Sequence, residues 1–187
     1  MSRLAVFVSG GGSNLQALID SDVKNSIALV VSDRPAFGLE RAQKAGIETV
    51  ELSRKELGKS GLSEAIEKVM AEHKIDLIVL AGYLSIFTEE FSARWRGKMI
   101  NIHPALLPKF GGKGMYGHHV HEAVLAADES ESGCTVHFLG EGVDNGEIIM
   151  QAKVPVVEGD TPETLAARVL EEEHKLLPKA VLSVLKG

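Results

Sequence analysis

The sequence predicts an α/β protein built on a doubly wound, mostly parallel sheet with a mixed C-terminal part. Three observations carry this expectation. Short apolar runs alternate with helix-like segments along the chain, the pattern of strand–helix–strand units. The run at 77–81 is continuous rather than alternating, as in strands covered on both faces. A late pair of strands is joined by a short glycine-rich loop, 140–146, which permits antiparallel pairing and makes the sheet mixed.

The elements follow in order. Leu4-Ala5-Val6-Phe7-Val8 is the first strand, and a helix over about 14–20 follows the glycines after it. Residues 27–31 form the second strand, 39–45 a short helix ended by Gly46, and 48–52 a third strand. Leu62, Ala65, Ile66, Val69 and Met70 recur at helical spacing and predict a helix over 62–73 with one buried stripe. Residues 77–81 are a strand, 88–95 a helix, 99–103 a strand and 117–127 a helix. Strands follow at 135–139 and 148–156. Asp160-Thr161-Pro162-Glu163 opens the last helix with a capping residue, a proline at the first helical position and an acid in the first turn. That helix is expected to run to about Leu185. No repeat, low-complexity tract or linker divides the chain, so 1–187 is expected to form one domain. The glycine-rich stretch 109–117, with Met115-Tyr116, reads as a mobile site loop.

Composition narrows the function. Of 187 residues, 44% are hydrophobic and 25% charged, the balance of a globular protein rather than a disordered one. No apolar run approaches the ~20 residues of a membrane span, and Met1-Ser2-Arg3-Leu4 reads as the approach to a strand rather than a secretory leader. The formal charge of -6 argues against a nucleic-acid partner, and no Lys/Arg run suits a membrane surface. The single cysteine, Cys134, lies at a strand start and reads as packing; one cysteine allows no internal disulfide, and a reducing, cytoplasmic setting is expected. Small-molecule substrates and a monomer or homodimer remain.

Four groups of residues could carry chemistry. Ser9-Gly10-Gly11-Gly12-Ser13-Asn14 follows the first strand, where glycines admit an anion close to the backbone and the next helix offers free N–H groups. Leu15 stands where a dinucleotide fingerprint needs its third glycine, and no Gly-Lys-Ser/Thr follows, so a single phosphate monoester is the better fit than a dinucleotide or a P-loop ligand. A plain tight turn is the rival reading. On strand 99–103, Asn101 and His103 share a face, and Pro104 places His103 at the C-terminal edge, where open α/β sheets bind ligands. An amide donor beside an imidazole suits a developing oxyanion, although a core histidine with a structural asparagine fits the spacing equally. Thr135 and His137 share a face of a later strand, and Asp144 follows on a loop hemmed by glycines, where it could orient an imidazole and favour its protonated form or simply make a turn. Glu173 falls in the middle of the apolar stripe Val169, Leu170, Leu176, Leu177, Ala180 of the last helix, a costly place for a carboxylate unless it is paired or holds a ligand such as a substrate amine. The cluster His118-His119-Val120-His121-Glu122 lacks a second ligand pair at a recognised spacing, so no metal is expected.

Five segments occur together in order: Ser-Gly-Gly-Gly-Ser-Asn-Leu-Gln from Ser9, Leu-Ala-Gly-Tyr from Leu80, Asn-Ile-His-Pro-Ala-Leu-Leu-Pro from Asn101, Thr-Val-His-Phe from Thr135 with Asp144, and Gln-Ala-Lys-Val-Pro-Val from Gln151. Together they resemble the phosphoribosylglycinamide formyltransferases, the folate-dependent enzymes of purine synthesis. The resemblance implies a Rossmann-like formyltransferase fold, with ribonucleotide binding in the N-terminal half and a folate pocket in the C-terminal half. It implies 10-formyltetrahydrofolate as co-substrate and glycinamide ribonucleotide as acceptor. Asn101, His103 and Asp144 would be the catalytic trio, supported by Thr135 and His137. Gly11, Gly12, Ser13 and Asn14 would hold the phosphate, and Glu173 the glycinamide end. Leu84, Ser85, Ile86 and Phe87, with Gly140, Glu141, Gly142, Val143 and Asp144, would line the folate pocket through backbone contacts; Asn101 also faces the folate, and Lys59 stands where the family often has arginine. The sequence departs from the family at Ser85, often arginine, and across 111–118. Two relatives on the same fold fit less well. A tRNA-formylating enzyme carries a further C-terminal domain, and a formyltetrahydrofolate hydrolase carries an N-terminal regulatory one. The expected chemistry is direct formyl transfer, with folate hydrolysis or a non-catalytic phosphate-binding module as the alternatives.

Overall fold

The computed structural model describes residues 2–187. Among these residues, seven strands form one sheet in the order β3-β2-β1-β4-β5-β6-β7. The strands are β1 (Leu4–Val8), β2 (Ile27–Ser32), β3 (Glu48–Glu51), β4 (Leu77–Leu80), β5 (Met99–His103), β6 (Glu131–Phe138) and β7 (Ile148–Pro155). The helices are α1 (Ser13–Ile19), α2 (Phe37–Lys44), α3 (Arg54–Glu72), α4 (Glu89–Arg94), α5 (His118–Ala126) and α6 (Pro162–Lys186). Strands β3, β2, β1, β4 and β5 run parallel. β6 pairs antiparallel with both β5 and β7. The mixed part expected from the glycine-rich loop is therefore present, and it begins one strand earlier, at β5.

The core forms two layers because the parallel strands are apolar on both faces. Val6, Val30, Val79, Ile100 and Val136 pack against α1, α2, α5 and α6. Phe7, Val31, Ile78, Leu80 and Met99 pack against α3 and α4. Asn101 and His103 continue the Met99 face by strand alternation. At that end of the sheet the loops at 104–112 and 140–146 reach the face through Phe110, Gly112 and Asp144, and the polar side chains collect there.

Two boundaries differ from the expectation. α3 begins eight residues before Leu62, because Ser53 caps it by accepting from the Glu56 N–H at 3.3 Å and the backbone crosses a kink at Gly58, φ 69°. Its first turn is largely exposed and carries no apolar stripe, so periodicity missed it. β6 begins at Glu131, which puts Cys134 mid-strand, fully buried, with burial pushing its thiol up to about 12. The last helix opens as read: Thr161 caps it, with Thr164 completing a reciprocal capping box. None of the described helices is long and apolar enough to cross a membrane.

Candidate active site

Strand register brings the central residues together. Asn101 lies opposite His137, and His103 opposite Thr135, so all four side chains stand on one sheet face. Asp144 joins them from the β6–β7 loop, where it takes a positive φ of 56°. Its Oδ2 lies 3.4 Å from His103 Nδ1, and its Oδ1 lies 3.6 Å from His137 Nε2 and 3.5 Å from Asn101 Nδ2. The Gly112 N–H donates to Oδ2 at 3.2 Å. Asn145, not Asp144, performs the turn chemistry: its Oδ1 accepts from the Gly142 N–H at 3.0 Å. The carboxylate of Asp144 is thereby left for the site.

Each imidazole donates to a backbone carbonyl. His137 Nδ1 donates to the Phe138 carbonyl at 2.8 Å, and its Nε2 lies 3.3 Å from Asn101 Nδ2. His103 Nε2 donates to the Phe110 carbonyl at 2.8 Å. Its Nδ1 faces Asp144, so both ring nitrogens of His103 look onto acceptors, which suits an imidazolium. Burial nevertheless wins: desolvation holds His103 below its ordinary value against the pull of Asp144 and the Phe110 carbonyl. Burial thus opposes the protonated form that the Asp144 pairing favours. Asp144 lies below the usual carboxylate range, because His137, His103 and the Gly112 N–H together outweigh the burial that raises it.

Thr135 braces the loop above. Its Oγ1 donates to the Ala105 carbonyl at 2.6 Å and accepts from Leu107 N–H at 3.1 Å and Gln151 Nε2 at 2.9 Å. Gln151 also donates to the Leu107 carbonyl at 3.0 Å. Beyond Asp144 opens a cavity of about 290 Å³, lined by Leu107, Gly112, Val143 and Ile148 among others.

The glycine turn forms a second centre. Gly12 has φ 71°, and a Cβ there would meet the Gly38 Cα at 2.7 Å, so only glycine fits against α2. Gly10 and Gly11 face open space instead. Asn14, on the first turn of α1, donates from Nδ2 to Glu173 Oε2 at 2.6 Å. Glu173 is 7% exposed on α6, as its place in the apolar stripe predicts, and burial raises its carboxyl above the ordinary value despite the Asn14 bond. Asn14 Oδ1 is buried without a hydrogen-bond partner among the described residues. The helix-face reading of Glu173 and the turn reading of Asn14 thus describe one cluster.

The remaining candidates are placed less tightly. Leu84 and Ile86 are 51% and 63% exposed, while the Phe87 ring is buried between Tyr83 at 5.4 Å and Phe91 at 4.7 Å, so Phe87 has only its backbone to offer a ligand. The Ser85 hydroxyl donates to Asp33. Glu141 pairs with Arg96 at 2.6 Å on the surface. Lys59 is exposed on α3 and takes no ion-pair or hydrogen-bond partner among the described residues. Of the histidine cluster, His118 pairs with Glu122 and Glu163 and His121 is buried. Among the described residues no group of three or more His, Cys, Asp or Glu is placed to hold a metal ion. Two polar residues not singled out in the sequence bond to candidates: Asp33 to Ser9 and Ser85, and Gln151 to Thr135. Gln151 lay in a quoted segment, but only the β6–β7 register shows it opposite Thr135.

The formyl transferase family matches residues 2–181. The chain is 46% identical over 192 residues to the trifunctional purine biosynthetic protein adenosine-3 of Bos taurus, covering 100% of this chain but 18% of that protein. It therefore spans less than a fifth of that relative's length. It is 40% identical over 187 residues to phosphoribosylglycinamide formyltransferase of Haemophilus influenzae, covering 97% of this chain and 86% of that one. Among solved structures, phosphoribosylglycinamide formyltransferase of Brucella melitensis is similar with a TM-score of 0.89 and 43% identity, covering 100% and 96% of the two chains. That of Bacillus Halodurans has a TM-score of 0.90 and 34% identity, covering 98% and 95%.

Proposed function

The chain belongs to the formyl transferase family, and we propose that it transfers the formyl group of 10-formyltetrahydrofolate to the amine of glycinamide ribonucleotide in purine synthesis. The observation that carries this is the meeting of Asn101 and His103, both on β5, with Asp144 of the β6–β7 loop, which lines the adjoining cavity.

The folate lies with its pterin against the backbone of Leu84, Ser85, Ile86 and Phe87 and of the 140–144 loop, and its tail runs towards Lys59. The exposed apolar side chains of Leu84, Ile86 and Val143 suit such a flat ring. The phosphate of the ribonucleotide sits on the open side of Gly11, with Gly12, Ser13 and Asn14 completing the cradle. Its glycinamide end reaches Glu173 and Asn14. Those side chains offer a buried acceptor, Asn14 Oδ1, beside a carboxylate, which calls for an N–H donor.

The neutral amine attacks the formyl carbon. Asn101 Nδ2 donates to the oxygen as it becomes an oxyanion. As it attacks, the amine gives up a proton to His103, and the imidazolium so formed stabilises the oxyanion. Asp144 supports that imidazolium. The C–N bond to the folate nitrogen then breaks, and the proton lost by the attacking amine ends on the departing nitrogen, passing through the His103–Asp144 pair. Holding two substrates in line supplies up to ~7–11 kcal/mol of the barrier.

The test is incubation of the protein with 10-formyltetrahydrofolate, with and without glycinamide ribonucleotide. Tetrahydrofolate released only with the ribonucleotide supports the proposal. Release without it indicates a hydrolase, and no release in either case leaves a binding module.

A further inference from the structure

We propose that Asp33 is a positioning residue for the folate: through the hydroxyls of Ser9 and Ser85, its buried carboxylate holds the backbone of Leu84 and Ser85 in the shape that receives the pterin ring. This rests on the formyl-transfer reading and deepens it by naming what shapes the folate-facing segment.

Asp33 follows the last residue of β2 and is 1% exposed. Its Oδ1 accepts from Ser9 Oγ at 2.7 Å, and its Oδ2 accepts from Ser85 Oγ. Ser9 Oγ in turn accepts from the Leu84 N–H at 2.9 Å. Arg34 closes the outer side, donating from Nε to Oδ1 at 3.0 Å and from Nη2 to Oδ2 at 2.8 Å. One carboxylate thus gathers the ends of β1 and β2 and the segment after β4. A buried charge is expensive unless its partners repay it. The three strands do not need it, since they already pair along their backbones.

What needs it is the 84–86 segment. The side chains of Leu84 and Ile86 are exposed, so burial does not fix them. Below them Tyr83 and Phe87 are locked in the aromatic stack. Between these anchors the Leu84 N–H donates to Ser9 Oγ and the Ser85 hydroxyl donates to Asp33, so both bonds lead back to the one carboxylate. Bonds to an ionised acceptor are the stronger kind and set a segment firmly. A ligand that reads backbone groups binds more weakly when the segment must first be ordered. The ribonucleotide, seated at Asn14 and Glu173, does not depend on it.

The experiment titrates tetrahydrofolate calorimetrically into wild type, Ser85→Ala, Ser85→Thr and Asp33→Ala, and measures KM for both substrates. Ser85→Ala is expected to weaken tetrahydrofolate about tenfold. The KM for 10-formyltetrahydrofolate rises with it, while the ribonucleotide KM stays unchanged and thermal melts show a folded protein. Ser85→Thr, which keeps a hydroxyl, restores binding, and Asp33→Ala repeats the folate defect. Unchanged tetrahydrofolate binding by folded Ser85→Ala, or an equal rise in both KM values, overturns the assignment alone. A wild-type protein that does not bind tetrahydrofolate overturns both the assignment and the formyl-transfer reading.

Discussion

Asn14 donates to Glu173 across 2.6 Å, joining the first helical turn of the chain to its last helix. The two residues are 159 positions apart, and each is buried. Replacing Glu173 by Gln keeps the shape and an acceptor but removes the charge that would meet the glycinamide end. We expect the ribonucleotide KM to rise about tenfold or more, with the folate KM unchanged. Asn14→Ala leaves the carboxylate buried without its donor and should cost ~1–3 kcal/mol of stability in thermal melts. A Glu173→Gln enzyme with wild-type ribonucleotide KM removes that residue from the site.

The glycines at the turn separate packing from binding. Gly12→Ala meets Gly38 at a left-handed position and is expected to lower stability by ~1–3 kcal/mol. Gly11→Ala projects into open space and should fold normally while raising the ribonucleotide KM. Urea melts and steady-state kinetics on the pair check this; equal stability loss in both would contradict the placement of the cradle.

His103→Ala and Asp144→Asn should keep the fold and slow turnover by at least ~100-fold. Near-wild-type turnover in either variant takes that residue out of the mechanism. In the free protein, the NMR titration midpoint of His103 should lie below the ordinary 6.5 and fall further in Asp144→Asn, because Asp144 pulls it up. A midpoint above 6.5 in wild type would contradict the neutral resting ring.

Burial holds His103, His121 and His174 below their ordinary 6.5. The folded protein therefore binds fewer protons at these rings than the unfolded chain. Their contribution to stability is full above about 6.5 and is lost as pH falls through the lower folded values. Glu173, raised from 4.5, acts in the opposite sense, stabilising as the medium becomes more acid. His73, raised from 6.5 by its bond to Glu48, acts in that same opposite sense, so melts of the double variant Glu173→Gln, His73→Gln are the clean measurement, and Tm should drop between about pH 7 and about pH 5. A Tm that rises over that interval would refute the assignment of buried neutral rings.

Much of this was legible in the chain because side-chain alternation and helical spacing are local. Asn101 and His103 could be placed on one face by counting, and Glu173 could be set against the core by its 100° steps. Asp144 could not be separated from a turn residue until the neighbouring Asn145 was seen taking the turn bond. The pairing of His103 with Asp144 is visible as a motif, whereas the desolvation that opposes it belongs to the packed fold. Asp33 carried no signal at all, since its partners Ser9 and Ser85 are 24 and 52 residues away and meet it only at the edge of the sheet. The start of α3 escaped for a related reason: a cap and a kink define it, and neither has a period.

The most direct measurement follows a carbon-13 formyl label from 10-formyltetrahydrofolate by NMR in the presence of glycinamide ribonucleotide. If Asn101, His103 and Asp144 perform direct transfer, all of the label appears on the glycinamide nitrogen and none as free formate. Label accumulating as formate, or remaining on the folate, would contradict it.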